Sequence, residues 1–145
     1  MQEIEEHRVD GRGDDMVAIG RRWSRLAQGA DRSEMGSMLS DDFVMWYNFN
    51  GSERGKADFI ATLHSARAVF PDQHHSNEHI TATTAGFVLQ ATMHGTMNGT
   101  TLAANFCLVC RVRDGLIYRA DEYFDTRQLP LVAADASSEM ISSPA

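Results

Sequence analysis

Two side chains in the second half of this sequence have the right type and setting to move protons. Glu122 stands between Ala120 and Phe124 at alternate positions of a β-prone run, Leu116–Phe124. Alternate residues of a strand share a face. On a covered face this carboxylate would be desolvated and its pKa raised toward neutrality, the range in which an acid exchanges protons near pH 7. His94, in the β-prone run 87–97, is the second candidate proton carrier, because imidazole titrates close to neutrality. Asn48 and Asn105 could orient a water or a substrate carbonyl, and Trp46 and Tyr118 would supply the aromatic wall that flat or hydrophobic ligands favour. The chemistry this set supports is acid–base catalysis without a cofactor: isomerisation, cyclisation or hydration of a small, largely apolar molecule.

Whether these groups meet depends on strand register. Asn98-Gly99 and Asp114-Gly115 are strong two-residue hairpin turns. If both are strict, Met97 lies opposite Thr100, Arg113 opposite Leu116 and Cys107 opposite Glu122. One face then carries Phe87, Leu89, Ala91, Met93, Phe106 and Leu108 and is almost wholly apolar. The other mixes Gln90, Thr92, His94, Asn105, Cys107, Tyr118 and Glu122 among apolar neighbours. Helices can cover one face only, and a bare apolar sheet is larger than soluble monomers tolerate. In one arrangement the mixed face lines a pocket beneath the helices, and the apolar face is buried against a second copy as a homodimer through the sheet. In the other, the apolar face is the core, and His94, Asn105 and Glu122 are wetted surface. A single β-bulge inverts the phase of everything beyond it.

Other motifs carry less. His74, His75 and His79 suggest a metal, but on an extended segment only His75 and His79 share a face and no acid or cysteine completes the set, so no metal is expected. Cys107 and Cys110, three apart on one strand, point to opposite faces and are expected as free thiols. Arg12-Gly13-Asp14 and the sequon Asn98-Gly99-Thr100 are chance matches in a chain without an export signal. No nucleophile elbow, phosphate loop or dinucleotide fingerprint occurs, and no cofactor is expected.

The elements that must position these residues are legible in outline. Residues 1–13 read as a loose leader, 14–129 as one domain and 130–145 as a polar tail. Met16, Ile19, Trp23 and Leu26 recur at helical spacing, Asp31 opens a short second helix, and Phe59, Leu63, Ala66 and Phe70 stripe a third that Pro71 ends. Strands follow at 43–47, 79–84, 87–97, 101–112 and Leu116–Phe124. Helices first and strands last indicate an α+β fold. With 145 residues, 43% hydrophobic and 23% charged, one packed core is expected. A net charge of −7 opposes binding to nucleic acid or anionic lipid. The acidic N-terminus lacks a signal and no run could span a bilayer, so a cytoplasmic setting is expected.

The order Asp42-Phe43-Val44-Met45-Trp46-Tyr47-Asn48, Arg54-Gly55-Lys56, Phe70-Pro71-Asp72 resembles the first half of SnoaL-like domains. Val112-Arg113-Asp114-Gly115-Leu116-Ile117 with Asp121-Glu122-Tyr123-Phe124-Asp125 resembles their closing hairpin. The resemblance implies the nuclear-transport-factor-2-like (cystatin-like) cone, three N-terminal helices packed on a curved, mostly antiparallel sheet with an internal pocket. That superfamily includes polyketide cyclases, ketosteroid isomerases and limonene epoxide hydrolases. Glu122 resembles the inward acid of the epoxide hydrolases, and Trp46 and Asn48 fall where those relatives place a water-binding tyrosine and asparagine. The hydrolases' Arg-x-Asp pair is absent from 87–97, and no carboxylate stands at Tyr47 or Asn48, where isomerases hold their base. Neither activity transfers intact. A non-catalytic module of the same fold, binding a small ligand or a second copy, is the alternative.

Overall fold

The computed structural model describes residues 12–29 and 33–127; most of the expected leader and all of the expected tail lie outside them. Helix α1, Arg12–Gln28, starts two residues before Asp14, so Arg12-Gly13-Asp14 is its first turn. Asp14 and Asp15 at its start and Arg25 near its end complement the helix dipole. The expected second helix is a single 3-10 turn, Met35–Met38. Strand β1, Leu39–Tyr47, leads into the three-residue β2, Glu53–Gly55, and helix α2, Lys56–Val69. The rest is strand: β3 His74–Ala82, β4 Gly86–Met97, β5 Thr100–Arg113 and β6 Leu116–Phe124. The described residues therefore hold two α-helices where three helices were expected. Neither is long and apolar enough to cross a membrane.

All six strands form one sheet in the order β2-β1-β6-β5-β4-β3, antiparallel except for the parallel pair β1–β6. Both hairpin turns form as the sequence indicates. Asn98 and Gly99 take φ of 51° and 79°, and Asp114 and Gly115 54° and 77°, the left-handed pair that a type I′ turn needs. Met97 faces Thr100 and Arg113 faces Leu116.

The register then breaks. Val112 faces Ile117, but Arg111 faces Arg119, which leaves Tyr118 without a counterpart as a bulge. Every later pair moves by one: Cys110 faces Ala120, and Leu108, not Cys107, faces Glu122. A one-residue slip exchanges the two faces of a strand. Glu122 therefore joins the apolar face, together with Ala120, Leu108, Cys110 and Phe106. A second bulge between Ser76 and His79, with Asn77 at φ 53°, puts His75 opposite Met93 and His79 opposite Gln90. His75 and His79, expected to share a face, are on opposite ones.

The helices cover the apolar face. Trp23 of α1 stacks on Phe59 of α2 at 5.4 Å, and both rings meet Phe43 of β1, at 6.5 and 5.3 Å. Burying aromatics of this size contributes roughly 2–3 kcal/mol each. Close approach is possible because α1 carries Gly20 at the contact, where a Cβ would stand 2.8 Å from Ile80 Cγ2 and 3.1 Å from Phe87. The expectation that the apolar face packs on a second copy is thus corrected, since that face is the core and the mixed face is the uncovered one.

Candidate functional site

Glu122 sits on the covered face between Tyr47 on one neighbouring strand and Leu108 on the other. Tyr47 and Leu108 are 4% and 0% exposed. Part of the Glu122 surface stays open, yet its carboxyl lies deep enough that burial alone pushes its pKa up to about 8. Depth, rather than the residue's average exposure, sets the cost of ionising it. No side-chain hydrogen bond to this carboxyl is found among the described residues. At pH 7 it is mostly the neutral acid, able to donate a proton and reload from water. Burial, with the Glu122 charge adding to it, also raises the Tyr47 phenol and the Cys110 thiol, so both stay protonated.

An aromatic floor runs from this point across the sheet. Tyr47 meets Phe49 at 5.4 Å, Phe49 meets Phe124 at 6.1 Å, Phe124 meets Phe106 at 5.5 Å, and Phe106 meets the ring of His75 at 4.9 Å. At the far end His75 is clamped from α1. Its side chain is 4% exposed. Its Nδ1 lies 3.0 Å from Ser24 Oγ and 3.4 Å from Glu78. Ser24 donates its one hydroxyl proton to Glu78, so Oγ accepts from Nδ1–H of His75 and, at 3.1 Å, from Gln28 Nε2. The His75 backbone N–H donates to Gln28 Oε1 at 2.7 Å. This network fixes the tautomer and leaves Nε2 with the lone pair. Burial lowers the His75 pKa against the opposing pull of Glu78, with His74 and His94 adding to the lowering, so the ring is a neutral base at pH 7.

The other expected site residues lie elsewhere. His94 is on the uncovered face, where its Nε2 is 2.6 Å from Ser76 Oγ and its ring stacks on His74 at 4.9 Å. Trp46, opposite Asp121, turns to the same side and meets Tyr123 edge-on at 5.3 Å. Tyr118, the bulged residue, carries the Arg113 guanidinium 4.5 Å above its ring. Asn48 spends its amide on backbone, its Nδ2 donating to Phe124 O at 3.2 Å and its Oδ1 accepting from Phe124 N at 2.9 Å. It fastens the end of β6 to β1 rather than facing the covered side. Gln90, Thr92, Asn105 and Cys107 do come together, lining an open hollow of about 550 Å³ on the uncovered face. Thr92 Oγ1 donates to Asn105 Oδ1 there at 2.8 Å. Cys107 and Cys110 are both free thiols, half-buried and buried.

Asn48 does touch Glu122, its backbone N–H donating to the Glu122 carbonyl at 3.0 Å. The Glu122 carboxyl, however, hydrogen-bonds none of the expected side chains among the described residues, and His75, Glu78 and Ser24 on the covered face are residues that sequence reasoning did not assign to the site. His75 and Glu78 share that face only because of the β3 bulge, which no strict alternation could reveal. Ser24 alone left a signal, as a hydroxyl on the buried stripe of α1 next to Trp23.

Known proteins fit this geometry. The model of a family described as the SnoaL-like domain matches residues 20–120. Among curated proteins, none matches the sequence. A candidate polyketide cyclase from Xanthomonas campestris pv. campestris superposes with a TM-score of 0.74 at 18% identity, covering 82% of this chain and 96% of that one. A phenazine biosynthesis-related protein from Pseudomonas aeruginosa gives 0.71 at 19% identity, over 83% of this chain and 82% of its own. A nuclear transport factor 2-like protein from Anabaena variabilis gives 0.67 at 17%, over 77% and 90%. Identities this low speak for fold alone. The fold is that of nuclear-transport-factor-2-like proteins, an α+β arrangement on a mixed sheet.

Proposed function

Since this chain belongs to the SnoaL-like domain family, we propose that it is an enzyme performing cofactor-free acid–base chemistry on a small, largely apolar molecule bound against the helix-covered face. The observation that carries this reading is the Glu122 carboxyl, buried on an apolar face with a pKa pushed up to about 8. An acid kept neutral at pH 7 can protonate a carbonyl or epoxide oxygen, and its conjugate base can take a proton back from carbon. His75, a neutral imidazole held at the other end of the aromatic floor, is the second proton carrier in place of His94. Isomerisation, ring closure and hydration each need one proton removed and one delivered. Ring closure is the reaction in the name borne by the Xanthomonas relative.

Thermal-shift screening of hydrophobic lactones, enones and epoxides, followed by product analysis with wild type and Glu122→Gln, tests the proposal. Compounds that stabilise both forms and are converted by wild type alone support it. Binding without conversion by either removes the enzymatic part.

One observation favours a second reading. The hollow of about 550 Å³ on the uncovered face is large enough for a small ligand or for side chains of a second copy. In that reading the chain is a binding or self-association module working through Gln90, Thr92, Asn105 and Cys107, and any dimer forms through the mixed face.

A further inference from the structure

Arg54 is the most buried arginine of the described chain, at 6% exposure, and its Nε has no hydrogen-bond partner. It lies on β2 opposite Met45, which is 1% exposed, so its stem is on the helix-covered face that holds Glu122. Two residues earlier, the buried hydroxyl of Ser52 is also without a partner. The Ser52 carbonyl accepts from the backbone N–H of Tyr47 at 3.1 Å, and Tyr47 in turn pairs with Glu122. Register alone therefore gathers Ser52, Arg54, Tyr47 and Glu122 at one corner of an otherwise apolar face.

A guanidinium cannot shed its proton, and burying it unpaired is costly unless something returns the lost hydration. The chain supplies no such group among the described residues. Of the nearby acids, Glu53 is taken by Arg119 at 3.2 Å and Asp41 by Lys56 at 3.6 Å. Asp58 is exposed at the start of α2. Glu122 is held neutral by burial, the reverse of what a partnership with arginine would do to it. By contrast Arg22, Arg67, Arg113 and Arg119, all more exposed, each donate to a protein oxygen. A guanidinium whose buried Nε has no partner, on the same face as the unpartnered Ser52 hydroxyl and near enough to the Tyr47 phenol to bear on its ionisation, matches a carboxylate, which accepts two parallel hydrogen bonds.

We propose that Arg54, with Ser52 and Tyr47, forms a receptor for the carboxylate of an acidic, otherwise apolar small molecule, holding it so that its body lies along the aromatic floor beside Glu122. This rests on the reading of the covered face as the substrate-binding face and narrows the substrate to a carboxylic acid. The neutral Glu122 fits beside such an anion, because it adds a donor and no charge.

The probes are 2-naphthoate and its uncharged analogue 2-naphthamide, with binding followed by calorimetry and by the ¹⁵N shift of the Arg54 Nε–H. The acid is expected to bind at least tenfold more tightly than the amide and to move that resonance. Arg54→Met is expected to abolish the preference while leaving the ligand-free melting temperature unchanged or higher, since it removes an unpaired buried charge. Arg54→Lys, which keeps the charge but not the fork, guards against a folding defect and is expected to retain only part of the preference. Equal binding of acid and amide, an unmoved Nε–H resonance, or full acid preference in Arg54→Met would overturn the proposal. The failure of the acid–base reading is distinguishable, because it would appear as an ordinary pKa at Glu122 whatever the Arg54 probes do.

Discussion

Leu108 stands opposite Glu122, in the place that unbroken hairpin register assigns to Cys107. The difference of one residue decides which side of the sheet holds the acid. It arises at Tyr118, the unpaired residue between Ile117 and Arg119. Without that bulge the carboxyl would project from the uncovered face beside Cys107 and Asn105, where water would keep it ionised at pH 7.

Deleting Tyr118 is therefore expected to leave Glu122 on the covered face, because it removes only the unpaired residue. Tyr118→Ala keeps the residue count, removes a half-exposed ring and its contact with Arg113, and is expected to cost about 1 kcal/mol or less. Deletion closes the bulge with Arg111 still opposite Arg119 and Leu108 still opposite Glu122, so the cooperative unfolding transition should persist, at a cost of about 1–3 kcal/mol for refitting the strand. Chemical denaturation of the two variants side by side checks this.

The same relationship explains what was legible in the sequence. The hairpin turns at Asn98-Gly99 and Asp114-Gly115 were readable because left-handed φ restricts residue choice sharply. Helix α1 and the end of α2 at Pro71 followed from spacing and from the missing amide of proline. The apolar face was also readable, since Phe87, Leu89, Phe106 and Leu108 alternate without a fault. Tyr118 carries no local mark of a bulge, being as acceptable in a regular strand as in an irregular one, so the face of Glu122 was out of reach. Asn77 is a type that tolerates left-handed φ, but it sits among His, Ser and Glu with no apolar alternation to lose. The clamp on His75 was invisible for the same reason. Arg54 reads from sequence as an ordinary surface arginine, and only the packing over β2 shows that it is buried.

Stability should fall as pH rises through the titration of Glu122. The folded-state pKa, about 8, lies above the ordinary 4.5, so the folded protein holds this proton more tightly than the unfolded chain. The associated stability is fully present below pH 4.5 and is lost progressively up to about pH 8. Glu122→Gln cannot ionise. It is expected to exceed wild type by on the order of a few kcal/mol at pH 9 and to differ little at pH 4. Urea denaturation at the two values measures the difference.

Ser24→Ala should release the clamp on His75. The alanine leaves a buried histidine and a glutamate without their shared hydroxyl, at an expected cost of about 1–3 kcal/mol. The imidazole ¹⁵N shifts should report Nδ1–H as the single neutral tautomer in wild type and a mixture in the variant. Because burial lowers the His75 pKa, its neutral form contributes stability that is present above pH 6.5 and is lost as pH falls below it, through the lowered folded-state value. That loss should appear as a fall in wild-type stability on acidification below pH 6.5, smaller in His75→Gln.

The most direct test is to label the glutamate side chains with ¹³C and titrate the Glu122 carboxyl, assigned with Glu122→Gln, by NMR. A midpoint near pH 8 is the expected result. A midpoint near 4.5, the value of an acid in water, would contradict it and leave the uncovered hollow as the better place to look for function.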